Sequence, residues 1–220
     1  MNDQTAVLPA DSQQSPQPVR WFAQIVSIVF HPLFLPTYIA AFLLYKDPYS
    51  FASLSEKGKI FKLASVAFST LFLPFFSVVL MKALGFIQSI FLRTQKDRII
   101  PYIVSMIFYF NIWYVTRNLH DAPYLVAMLL GVFICCIAGM MANIYFKISM
   151  HGIAVGALVV LFGWMAFSGA VSGGYWFALT TIIAGLVSTA RFIVSDHSPF
   201  DVYSGLVVGA VCQLLANAFV

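Results

Sequence analysis

Seven segments of this chain are near 20 residues long and almost free of charge: Trp21 to Tyr45, Ile60 to Phe86, Ile99 to Thr116, Pro123 to Phe146, Gly152 to Ala170, Gly174 to Ala190 and Pro199 to Val220. A helix needs about 20 apolar residues to cross the hydrocarbon of a bilayer. With no water at that depth, every backbone N–H and C=O must find a partner inside the protein, which leaves helices or closed barrels. Segments of this length predict an all-α, polytopic transmembrane helical bundle of six or seven spans. The first segment decides the number. It contains HPLFLP, with Pro32 and Pro36 four apart, and two prolines so placed should kink the helix or make it re-entrant.

Composition points the same way. The chain is 61% hydrophobic and only 9% charged, against about 25% charged in soluble domains. The net charge of +4 is mild and no Lys/Arg block is present, which argues against a nucleic-acid partner. Cys135, Cys136 and Cys212 sit in apolar runs without metal-ligand or disulfide spacing and read as buried small apolar residues. Residues 1–20, rich in Gln, Ser and Pro, read as a disordered tail ahead of a single transmembrane domain over 21–220. The tail lacks the basic start and cleavage site of a secretory signal, so the first apolar segment is expected to be retained.

The remaining charge is placed unevenly. Between Ile148 and Val220 the only Lys, Arg, Asp or Glu residues are Arg191, Asp196 and Asp201, which share an eleven-residue window with His197. If the spans alternate in direction, the links LRTQKDRIIP (92–101), FKISMHG (146–152) and ARFIVSDHSPFD (190–201) fall on one membrane face. Each precedes a helix start. Pro101 is expected in the first turn of the third span, Ser149 just before the fifth, and Ser198-Pro199-Phe200-Asp201 reads as N-cap, N1 proline and acidic N3. Helix N-termini carry unpaired N–H groups and partial positive charge. With Lys96, Arg98 and Arg191 added, this face suits phosphate or another oxyanion.

Each residue has a chemical and a plain reading. Asp201 can orient the imidazole of His197, four residues earlier, and leave its other nitrogen as nucleophile or base; or it can simply cap the helix. Arg191 can bind phosphate bidentately or anchor a helix at the interface. Asp196 reads as solvated or paired to a cation, and Lys147 as an interface lysine. His151 can protonate a leaving oxygen and Ser149 can donate its hydroxyl to a phosphate, or both can belong to a polar turn. Lys96 and Arg98 can serve the site or set topology. His31, beside Pro32, and His120 read as structural.

Arg191-x5-His197-x3-Asp201 resembles the third signature of the type 2 phosphatidic acid phosphatases, the lipid phosphate phosphatase superfamily, with its spacing intact. Ser149-Met150-His151 resembles the second, Pro-Ser-Gly-His, with Ile148 and Met150 in place of Pro and Gly. The first, a Lys followed after six residues by Arg-Pro, would be Lys96 to Pro101 in compressed form, with Arg93 able to replace either cation. Ala190 stands where the family has Ser. The resemblance covers about residues 93 to 209 and implies a metal-independent lipid phosphate phosphatase without cofactor. In it His197 attacks phosphorus, Asp201 orients His197, His151 protonates the leaving oxygen, and Arg191, Lys96, Arg98 and Ser149 hold the phosphate. The implied partner is a lipid phosphate in the bilayer, an isoprenoid diphosphate or a phospholipid phosphate. Two alternatives stay open: a non-catalytic lipid-phosphate binder or transporter, and a metal site built from His151, His197, Asp196 and Asp201.

Cations outside the candidate site are Arg20, Lys82, Arg93 and Lys147 on the polar-cluster face and Lys46, Lys57, Lys59, Lys62 and Arg117 on the other. The slight excess places the second group in the cytoplasm and the candidate site outside. Bacterial members of the family suggest the same orientation, at an inner membrane.

Overall fold

A computed structural model describes residues 15–47, 50–90, 95–169, 173–194 and 198–220. The helices are α1 (Gln17–Val29), α2 (Leu35–Lys46), α3 (Glu56–Ala67), α4 (Leu73–Ala83), α5 (Gln95–Asn118), α6 (Pro123–Tyr145), α7 (Met150–Phe167), α8 (Gly173–Val194) and α9 (Pro199–Ala218). A π-helical turn, Phe68–Phe72, joins α3 to α4, so that Glu56–Ala83 runs as one helix. Pro74 explains the turn. It offers no N–H to the Thr70 carbonyl, and the ladder widens just before it, with Leu73 N–H donating to the Phe68 carbonyl.

Among the described residues, six helices are long and apolar enough to cross a membrane: Glu56–Ala83, α5, α6, α7, α8 and α9. The chain is a polytopic helical membrane protein. The first apolar segment, which decides between the six and seven spans expected from sequence, breaks at residues 30–34 into two short helices. Pro32 supplies no N–H, and the turn is closed around His31. Its carbonyl accepts from Phe34 N–H at 2.9 Å, and its Nδ1 accepts from Leu33 N–H at 3.3 Å. The two halves then take different neighbours. Ala23 and Val26 of α1 pack on Ala184, Val187 and Ala190 of α8. Ile39, Leu43 and Leu44 of α2 pack against Val66, Leu125, Met128 and Leu161. α1 begins at Gln17, inside the stretch expected to be disordered, where Pro16 at the N-cap and Pro18 in the first turn favour a start; residues 1–14 lie outside the described residues.

α6 and α7 are the most buried spans, and α7 with α9 forms the largest helix–helix interface. Lipid tails are as apolar as leucine, so helices in a bilayer associate through close packing rather than hydrophobic burial. Gly152 and Gly156 on α7 face Gly205 and Gly209 on α9. A β-carbon added at Gly156 would fall 2.2 Å from the Leu206 carbonyl oxygen, and one at Gly209 would fall 1.9 Å from that of Ile153. The two backbones therefore touch. At the opposite end, Lys62 of α3 pairs with Asp121 in the α5–α6 turn at 2.5 Å. His120 sits in the same turn with φ 53°, in keeping with its structural reading. The three cysteines are buried.

Gly209→Ala should lower the stability of the purified protein by about 1–3 kcal/mol, the usual effect of overpacking. Gly185→Ala, where nothing lies within 4 Å of the added carbon, should not. Thermal melts in one detergent compare them, and equal melting temperatures would refute the glycine seam.

Candidate functional site

The three helix starts expected to meet on one face do so. Ser149 caps α7 through its hydroxyl, which accepts from Gly152 N–H at 3.3 Å. Its own N–H donates to the Asp201 carbonyl of α9 at 3.0 Å. Ser198 and Asp201 form a capping box: Asp201 N–H donates to Ser198 Oγ at 3.2 Å, and Ser198 N–H donates to Asp201 Oδ2 at 2.9 Å. At α5, the Gln95 carbonyl accepts from Asn143 Nδ2 of α6 at 3.0 Å. The Tyr102 hydroxyl lies 2.6 Å from Met150 Sδ at the start of α7.

One start differs from expectation. α5 begins at Gln95, so Pro101 is interior rather than in the first turn. Lys96, Asp97 and Arg98 are accordingly helical, not part of the link. Helical spacing turns Arg98 and Lys96 to different sides. Arg98 faces inward, whereas Lys96 is exposed.

Beneath the three starts lies a cavity of about 330 Å³. Arg98, Tyr102, His151, Arg191 and His31 line its polar end, and its wall continues through Ile39, Val78, Val132, Ala157 and Leu158 to Met128 and Leu161. His151 and Leu161 are ten residues apart on α7, so the cavity reaches down about 15 Å. Met128 lies five residues from the opposite end of α6, so the cavity reaches past the middle of that helix.

Two guanidinium groups, Arg98 of α5 and Arg191 of α8, stand at the polar end. His151 is buried, and its Nε2 lies 3.0 Å from the Ser27 carbonyl oxygen of α1. A carbonyl only accepts, so Nε2 carries hydrogen. The His31 ring meets that of His151 edge-on, with centroids 5.3 Å apart and planes at 90°. Burial, and then the Arg191 charge, hold the His31 imidazole below its ordinary pKa.

The structure therefore gathers Arg98, Arg191 and His151 around one cavity and leaves Lys96 outside it. Ser149 and Asp201 are buried among the helix caps, not in the cavity wall. His197, Asp196 and Arg93 lie outside the described residues. Among the described residues, no group of three or more His, Cys, Asp or Glu side chains is arranged to hold a metal ion. Two site residues escaped the sequence reading, which set His31 aside as structural and passed over Tyr102. The available signal for His31 was a histidine placed directly before a proline in an otherwise apolar span. Comparisons with protein-family models, with curated proteins and with solved structures return no match for this chain. Fold and site together define a polytopic helical membrane protein with an amphipathic internal cavity.

Loss of one charge-assisted contact weakens anion binding by about tenfold to a hundredfold. Arg98→Gln and Arg191→Gln should each do so for dodecylphosphonate, read by titration calorimetry in detergent, while Lys96→Gln should stay within about twofold. An equal loss in all three would remove the distinction drawn between Lys96 and Arg98.

Proposed function

We propose that this chain is a metal-independent phosphatase of lipid phosphates, acting through a phosphohistidine on His197. The observation that carries this reading is the cavity itself, with two guanidinium groups and His151 at one end and apolar side chains along the rest. Such a site matches an anionic headgroup with a hydrocarbon tail. A volume of 330 Å³ spread over about 15 Å of helix rise leaves a mean section of about 20 Å². That suits one extended chain. The motif Arg191-x5-His197-x3-Asp201 supplies the chemistry.

In the proposed reaction a lone pair on the His197 imidazole attacks phosphorus as the bond to the lipid oxygen breaks. His151, protonated on both nitrogens and held at Nε2 by Ser27, gives its Nδ1 proton to the departing oxygen. A water molecule then attacks the phosphohistidine and passes its proton to Nδ1. The N–P bond breaks, and phosphate leaves with His197 restored. Arg98 and Arg191 neutralise the non-bridging oxygens throughout. Asp201, whose Oδ2 accepts from Ser198 N–H, orients the His197 ring in this reading.

One observation favours a second reading, a binder or transporter of lipid phosphates without chemistry. Met150 stands where the resembled family has glycine, and its side chain lines the cavity against Tyr102. Phosphate release by wild type in detergent with EDTA, over phosphates of different chain length, separates the two. Release should fall to background in His197→Ala and by about a hundredfold or more in His151→Ala. Ala157→Phe, about 9 Å below His151 along α7, should shift preference to shorter chains. No release by wild type from any substrate would exclude the phosphatase and leave the binder.

The proposed setting is a bacterial inner membrane with the site on the outer face, since Lys46, Lys57, Lys59, Lys62 and Arg117 belong to the opposite ends of the helices. A cysteine replacing Lys57 should resist an impermeant thiol reagent in intact cells. Labelling there would invert the orientation.

A further inference from the structure

The N-terminal segment contributes a histidine to the cavity that no motif assigns. We infer that His31 is a phosphate-binding residue, whose Nε2–H donates to a non-bridging oxygen of the anion held by Arg98 and Arg191. This deepens the reading of the cavity as a site for a phosphate-bearing amphiphile, and rests on it.

Three observations carry the assignment. First, the tautomer is set: His31 Nδ1 accepts from Leu33 N–H, so in the neutral ring the hydrogen resides on Nε2. Nε2 makes no hydrogen bond to any described residue, while the ring lines the polar end of the cavity. Second, the position is forced. Pro32 breaks the segment at this level, and His31 is held by the turn it closes rather than by a flexible stem. Third, the neighbours suit a neutral donor. Arg191 from α8 and His151 from α7 face the ring, and Arg98 and Tyr102 from α5 share the same end of the cavity. A second imidazolium edge-on to His151 would oppose the protonation that His151 needs as an acid. A neutral N–H adds a contact to phosphate without that opposition. Residues 27 and 31 thus serve one purpose from one segment: the Ser27 carbonyl fixes His151, and His31 completes the oxyanion cradle beside it.

Two substitutions separate donor from packing. His31→Phe keeps a ring against His151 but has no N–H; His31→Gln keeps an N–H donor. Binding of dodecylphosphonate and of inorganic phosphate is read by calorimetry on the full chain in detergent, beside melts of the ligand-free proteins. His31→Phe should weaken both ligands by about tenfold or more, and His31→Gln by less than about threefold. Loss for dodecylphosphonate alone would make His31 a tail contact and overturn the proposal. So would unchanged binding by His31→Phe. If either variant melts early, the wild type decides. Diethyl pyrocarbonate modifies neutral imidazole, and mass spectrometry of the peptide carrying His31 should show protection by dodecylphosphonate. Equal modification with and without it overturns the assignment. Because none of these readings needs turnover, a wild type that binds but does not hydrolyse would sink the phosphatase while leaving His31 in its role.

Discussion

The contact between the backbones of α7 and α9 governs the rest of this molecule. In a bilayer, exclusion of water does not press helices together, so closeness of approach decides which pairs hold. Glycines at 152 and 156 facing glycines at 205 and 209 allow the two chains to meet without side chains between them. That contact places the start of α7 against the start of α9, where Ser149 N–H donates to the Asp201 carbonyl. The caps and the aim of His151 into the cavity follow from it. A single added carbon on this seam would move the site before it altered any residue of the site.

α7, held by α9, supplies one side of the cavity, and the broken N-terminal segment, α4, α5, α6 and the end of α8 supply the other. The two halves are joined differently. Backbone contact fixes the first, whereas in the second a histidine turn, a proline break and a tyrosine hydroxyl against a methionine sulfur set the register. His151 belongs to both. It is carried by α7 but oriented by a carbonyl of α1, so its protonation chemistry depends on a segment over a hundred residues away in sequence.

Much of this was legible in the sequence, for reasons that can be named. Six apolar runs of spanning length became spanning helices, because in lipid the backbone has few alternatives. Ser198 was recognisable as a cap, since a short hydroxyl before a proline, with an acid three residues on, matches a helix start. The convergence of three helix starts followed from counting spans alone. What escaped was decided by tertiary context. The start of α5 lay four residues before the expected Ile99, because a charged stretch can be helical as readily as it can be a link. Lys96 and Arg98 therefore point apart. That His31 lines the cavity depends on which way the chain turns after Pro32, and no local pattern encodes that direction.

The asymmetry between the two halves of the cavity has an evolutionary consequence. The glycine seam tolerates almost no substitution, and it holds the polar end. The apolar wall opposite, with Ile39, Val78 and Val132, is built from ordinary side chains on helices that do not meet backbone to backbone. Changes of size there alter the apolar space without displacing a cap or a charge. A chain built this way can reshape its interior by drift along one wall, while the polar groups at the cavity's mouth are inherited intact.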